Sequence, residues 1–445
     1  MTSIDLFVTD TTYESLPPAT RKMALDCLID LVGTAAAGTG TPLSRIIREH
    51  ALDCFGPGRT RARLMLDGRE VSAAGAALAN GMTIDAFDSH DGHVLTKGHA
   101  GAALLPGLLA AAENAAAPVS GREALAALAI GYEVAIRAGM ALHRTVADYH
   151  TSGAWNALGV VAIAARLLGL DRETLRHGLG IAEYHGPRSQ MMRCIDYPTM
   201  LKDGSGWGAM TGISAAWLAR GGFTGAPAIT VEVGSDARAA GVWEDLGSRW
   251  RITEQYFKPY PVCRWAQPAI RCVLELRAAH DIDPARVEAI EIRTFHEATR
   301  INSAAPASTE EAQYSLPFPV AAALLRGRLV PADILENGLR DPAVLALAAR
   351  VRLIDDPEIS PRYPAERLAR ARIRMKDGTE HRTGILPALG DPDRPLGDKG
   401  LRDKFLANAA TTLDERRARD LLALCEELPA MPDIAPFIDA LMRPA

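Results

Sequence analysis

Leu25, Leu28, Ile29 and Val32 recur at i, i+3, i+4 and i+7 behind Pro17-Pro18, one apolar stripe on a helix with a proline start. The same period at Leu125, Leu128 and Tyr132 predicts a helix over residues 124–138. Residues 153–168 read as a small-residue helix stopped by Gly169, and Asp171 is placed to cap a further helix that runs to about residue 183. Residues 212–219 follow the same pattern and end at Gly221-Gly222. Strand signals are sparse up to about residue 250.

The pattern changes after Tyr256. Ile290, Ile292 and Thr294 alternate with Glu291 and Arg293, and Ala371, Ile373 and Met375 alternate with Arg370, Arg372 and Arg374. Period-2 alternation is that of half-buried strands, and Asp377-Gly378 directly afterwards marks a hairpin turn. Helices at roughly 266–280, 316–326 and 342–350 intervene, so residues 256–391 are expected to form a smaller α+β unit. Helical spacing returns at 404–409 and 413–427. The expected fold is mainly α: a large all-helical domain from residues 1–255, completed by residues 392–445, with the α+β unit inserted.

The chain has 445 residues, 48% hydrophobic and 23% charged, which fits a globular protein of two or more domains. Aromatic residues make up only 5%, and alanine is abundant, which favours closely packed helices over a β-sandwich. The formal net charge of -5 gives no electrostatic footprint for nucleic acid or an anionic membrane. The longest apolar stretches carry Gly, Arg or Glu, so no membrane span is expected. Six scattered cysteines without a Cys-x-x-Cys pair, and an N-terminus without a secretory pattern, lead to the expectation of a soluble, cytoplasmic protein.

Four segments could carry chemistry. Asp85-Ala-Phe-Asp88-Ser89-His90-Asp91-Gly92-His93, with His99 after it, is the densest polar cluster and lies beside apolar sequence. It reads as an acid/base or carboxylate-binding site, as a metal site using Asp85, His90 and His93, or as a solvated loop with capping Asp residues. His150 stands next to a helix N-terminus, which depresses an imidazole pKa and suits either a neutral base or a local hydrogen bond. Lys202 leads into a Gly-rich helix start that suits an anion or a close helix contact. Lys258-Pro-Tyr-Pro-Val-Cys263-Arg264 lies where composition shifts, as a cleft wall or a rigid linker. No dinucleotide, phosphate-loop or serine-nucleophile fingerprint is present.

These segments resemble the MmgE/PrpD family along essentially the whole chain. The family's Asp-x-Asp-Asp-Thr-His stretch corresponds to Asp85–His90, and its His-Pro-x-Ala to His99-Ala-Gly-Ala. Its His-Pro-Thr-Gly, followed by Leu-Leu-Gly-Leu, corresponds to His150-Thr-Ser-Gly and Leu167-Leu-Gly-Leu170. Its lysine before a small-residue helix and Gly-Phe-Thr-Gly corresponds to Lys202 and Gly222-Phe-Thr-Gly225. Its Lys-Pro-Tyr-Pro-x-Cys and Phe-Ser-Leu-Pro-Tyr resemble Lys258–Cys263 and Tyr314-Ser-Leu-Pro-Phe318.

The resemblance implies a helical domain with an α+β lid, a homodimer, and a cleft active site without metal or organic cofactor. It implies catalytic roles for Asp85, His99, His150, Lys202 and Lys258, and substrate contacts from Asp88, Ser89, His90, Cys263 and Arg264. The chain departs from the family in reading Ala-Phe-Asp before Ser89, in a longer loop with Asp91-Gly92-His93, in Cys263 where decarboxylases have His, and near Gln267, where dehydratase-like members often have His. The implied function is a cofactor-independent lyase on a small di- or tricarboxylate, acting through an enolate-like state. A dehydratase of the 2-methylcitrate type comes first. An aconitate-type decarboxylase, an epimerase or isomerase, and a non-catalytic carboxylate binder are the alternatives.

Overall fold

The computed structural model describes residues 4–232 and 237–445. The helical part is built from α1 (Pro18–Thr39), α2 (Ala73–Asp85), α3 (Gly101–Ala112), α4 (Gly121–Thr145), α5 (Gly153–Leu167) and α6 (Ser205–Arg220). Helix α5 packs between α4 and α6, and α6 packs on α2. Small side chains make these approaches close: a Cβ on Gly206 of α6 would lie 2.4 Å from the Leu78 carbonyl oxygen of α2. Gly206→Ala is therefore expected to push α6 away from α2 and lower stability by about 1–3 kcal/mol. Denaturant unfolding measures this, and an unchanged midpoint would contradict the tight contact.

α4 is the helix among the described residues that is long and apolar enough to cross a membrane, contrary to the expectation that no such stretch exists. Its apolar window is wholly buried inside the protein, so it serves here as a core helix. Mid-helix Arg137 is satisfied there by Glu133 at 3.1 Å, a cost that burial of a charge imposes.

Helices α2 and α3 are buried on nearly every side. Such helices have no polar stripe, which is why periodicity did not outline α2. The tail helix, α9 (Gly397–Ala409), packs on α1, so both ends of the chain share one core with Leu28, Leu31, Leu401 and Phe405. The helix is longer than its 404–409 stretch of periodicity, and a further helix, Ala435–Met442, follows.

A second core gathers residues from Val262 to Met375. Its α7 (Gln267–Ala279) and α8 (Pro317–Arg326) pack together, and α7 also packs on a five-stranded sheet. In that sheet β1 (Val287–Thr294) is parallel to β2 (Val351–Asp355) and antiparallel to β3 (Leu368–Met375). β3 continues through the Asp377-Gly378 turn into β4 (Glu380–Arg382), with Gly378 at φ 86° as the turn requires. Met191, Cys194 and Ile195 from the helical part also sit in this second core, tying the two together. The fold is mainly α, as the helical periodicities implied. All six cysteines are free.

Candidate active site

The polar cluster follows the end of α2. After Asp85 the chain turns and enters the short strand Gly92–His93, which pairs antiparallel with Gln255–Tyr256. That pairing brings the Asp85–His99 stretch against the segment that carries Lys258. This segment is itself held by backbone bonds: Phe257 donates to the Gly390 carbonyl, and Cys263 to the Gln313 carbonyl at 2.8 Å. Gln267, wholly buried, donates to the carbonyls of Tyr260 and Val262, a structural task that occupies its amide. Lys202 precedes α6 in a left-handed conformation, φ 50°, and Lys97 has φ 53°. Bulky side chains pay strain for this conformation, and both lysines lie close to the polar cluster, Lys97 on a cavity wall and Lys202 beside Gln313.

The buried Lys258 ammonium holds the Asp88 carboxylate and also donates to the Asp88 carbonyl at 3.2 Å. Lys202 donates to Gln313 Oε1 at 2.7 Å and lies 4.7 Å from the centre of the Tyr314 ring. Gln313 Oε1 also accepts the Asp88 N–H at 2.8 Å, so one amide links both lysine sites. Asp85 Oδ2 accepts the Ser205 N–H at 3.0 Å, capping the start of α6, while Oδ1 lies 3.4 Å from His90 Nε2. His90 stands edge-on to His99 with ring centres 4.2 Å apart.

Burial by itself would raise the Asp88 pKa, but Lys258 and Lys202 outweigh it and hold the carboxylate far below its usual range. Burial, then Lys258 and His90, keep the His99 imidazole neutral well below its ordinary pKa. His99 Nδ1 donates to the Asp91 carbonyl at 2.6 Å, so Nε2 carries the lone pair. Burial, then neighbouring Asp30, raise the Asp91 carboxyl to about 7.

A narrow cavity opens onto this cluster. Asp88, His99, Cys263 and Arg264 line it, with Lys97, Tyr149, Tyr256, Tyr314 and Arg367. Asp85, His90, Lys202 and Lys258 gather around the buried Asp88 and His99. Arg264 is a bound wall residue: it pairs with Asp391 at 2.6 Å, donates to the Leu389 carbonyl and lies over the Tyr256 ring at 4.3 Å.

Two expected site residues stand elsewhere. Ser89 turns to the tail helix, where its hydroxyl accepts from Asn408 at 3.2 Å and its carbonyl accepts from Lys404 at 2.5 Å. Lys404 is also paired with Asp30, so Ser89 anchors the loop. His150 lies in an extended bridge with Gln190, and its backbone N–H donates to His143 at 3.2 Å. Neighbouring side chains of an extended segment point to opposite sides, and here it is Tyr149 that reaches the cavity. The His150 pKa is lowered as expected, but by partial burial and Arg188.

The metal reading with His93 also fails, because His93 faces Glu254 at 3.4 Å and not Asp85. Asp88, His90 and His99 do place potential ligand atoms within 4.8 Å of one another. Lys258 already holds Asp88, however, and Lys202 adds a second ammonium charge, so a cation would meet like charge there.

A model of the MmgE/PrpD N-terminal domain matches residues 2–234, and one of the MmgE/PrpD C-terminal domain matches residues 260–428. The chain belongs to the MmgE/PrpD family. Mouse cis-aconitate decarboxylase is 26% identical over 94% of this chain and 88% of its own length. The human cis-aconitate decarboxylase is 27% identical over 83% of this chain and 79% of its own length. The 2-methylcitrate dehydratase of Cupriavidus necator is 26% identical over 59% of this chain and 58% of its own length.

Within this MmgE/PrpD chain, motif reading passed over Gln313, Tyr149, Lys97 and Arg367. Gln313 precedes the Tyr314-Ser-Leu-Pro segment, and Tyr149 precedes His150, so adjacency to a motif was the available signal. Lys97 and Arg367 stand in no motif. Arg367 is buried, and its guanidinium Nε has no partner among the described residues.

Proposed function

We propose that this protein is a lyase that acts on a small di- or tricarboxylate through a carbanion-like centre next to a carboxylate. The observation that carries this is the buried group of Lys202, Lys258 and His99 beside a narrow cavity whose lining includes Lys97 and Arg367. His99 Nε2 is the base, neutral at ordinary pH. Lys202, with an uncharged partner in Gln313, stabilises the enolate-like charge, and Lys258 holds Asp88 in place. Lys97 and Arg367 hold the substrate carboxylates, and residues 256–391 form the lid over them. Dehydration is the favoured outcome, with Cys263 in place of the decarboxylase histidine. Decarboxylation is the second reading, supported by two relatives of that activity that match most of the chain.

The test is incubation of the purified protein with citrate, 2-methylcitrate, cis- and trans-aconitate and aminodicarboxylates, followed by NMR. Loss of water from a hydroxy acid supports dehydration, and carbon dioxide release supports decarboxylation. Binding without turnover across the panel would instead favour a carboxylate-binding protein.

A further inference from the structure

Asp203 stands beside the base. It is buried, and it follows Lys202 in the turn that opens α6. Its Oδ2 lies 3.5 Å from His99 Nε2. His99 spends its only imidazole hydrogen on the Asp91 carbonyl, so Nε2 presents a lone pair to a carboxyl oxygen. Two acceptors facing each other in a buried site need a proton between them. Ser152 completes the arrangement. Its hydroxyl oxygen accepts the His99 backbone N–H at 2.9 Å and its hydrogen is directed to Asp203 Oδ2 at 3.3 Å.

Charge in the cluster favours the same state. Asp88 has the Lys258 ammonium and Asp85 has the α6 amide, whereas Asp203 Oδ1 has no hydrogen-bond partner among the described residues. Asp85 and Asp88 repel a charge on Asp203, and Lys258 and Lys202 oppose that effect. Other titratable groups near it among the described residues are His99 and, through their charge coupling to it, the Tyr149 and Tyr314 phenols and the Cys194 and Cys263 thiols. Burial comes first and keeps the Asp203 carboxyl protonated well above its ordinary range.

We propose that Asp203 is a catalytic acid paired with His99, the two side chains holding one proton between Oδ2 and Nε2. Its role in turnover rests on the dehydratase reading above. When substrate enters, the Asp203 O–H turns from Nε2 to the leaving hydroxyl. The substrate C–H bond breaks, its proton forms an N–H bond at the freed Nε2, and the electron pair stays on carbon. That pair expels the hydroxyl as the C–O bond breaks. The departing oxygen takes the Asp203 carboxyl proton and leaves as water. The imidazolium then passes its Nε2 proton to the Asp203 carboxylate, which restores both groups.

The resting pair is tested without substrate, by following the imidazole nitrogen resonances of His99 with pH in the full-length protein. In the wild type the Nε2 resonance should shift as pH rises and Asp203 loses its proton. In Asp203→Asn, whose amide donates permanently, it should stay flat. A wild-type resonance as flat as the variant's overturns the proposal, and this measurement decides alone if the variant does not fold. In turnover, Asp203→Asn should lose elimination by roughly two to four orders of magnitude. It should still exchange the substrate C–H with heavy water, because His99 remains. Wild-type elimination, or equal loss of exchange and elimination, overturns the acid role. A wild type that dehydrates no hydroxy acid overturns the dehydratase reading and this acid role with it, while the titration separately decides whether the resting pair shares its proton.

Discussion

Lys202→Met is expected to lower kcat/KM by roughly two to three orders of magnitude while leaving the protein folded. The ammonium is buried and makes its hydrogen bond to a neutral amide oxygen, with an aromatic ring beside it. Its charge therefore remains available to an enolate that forms in the cavity. Methionine keeps most of the aliphatic stem, and Gln313 Oε1 still accepts the Asp88 N–H, so little is left unsatisfied. Lys258 gives a less clean experiment. Removing it would strand the buried Asp88 carboxylate, a defect that costs about 3–5 kcal/mol and confuses stability with catalysis. Steady-state kinetics and a melting curve on Lys202→Met separate the two effects. Wild-type kcat/KM in that variant would remove Lys202 from the charge-stabilising role.

His99→Asn should cost more, roughly two to four orders of magnitude in kcat/KM, because it removes the base itself. The asparagine amide can still donate to the Asp91 carbonyl, so the loop retains its anchor. The pH profile adds a second readout. Burial, Lys258 and His90 depress the imidazole pKa, so the neutral form persists below the ordinary histidine value of about 6.5. The acid limb of kcat/KM is then expected below that value, with a plateau through it. The stability sign is the same: a depressed imidazole stabilises the fold above its unfolded pKa, and that contribution is lost as pH falls toward the folded one. An acid limb centred at the ordinary histidine pKa would remove His99 from the role of base.

His150 shows where motif reading reaches its limit. The motif located the right few residues, but a single extended step decides which side chain enters the cavity, and Tyr149 takes that position. Ser89 is similar. Its hydroxyl fits a substrate contact on sequence grounds, yet the tail helix returns beneath the loop and claims it through Asn408. The interaction spans more than three hundred residues of sequence, so no local pattern could reveal it. Lys97 and Arg367 were missed for a related reason. Each is a lone cation in unremarkable sequence, and only the packing of two cores brings them to one cavity.

Helical periodicity, strand alternation and the Asp377-Gly378 turn were enough to determine a mainly α chain with an α+β segment after Tyr256, because these signals depend on neighbours within a few residues. The motifs likewise singled out Asp85, Asp88, His99, Lys202 and Lys258, which the fold gathers into one buried cluster. Tertiary structure alone decided their states. Which lysine is paired with a carboxylate and which donates its hydrogen bond to a neutral amide depends on Asp88 and Gln313 arriving from distant segments. Which imidazole nitrogen carries the lone pair, and that Asp203 faces it, depends on burial and on a carbonyl at 2.6 Å. Protonation is set by the local dielectric and by nearby charge, and both are products of packing.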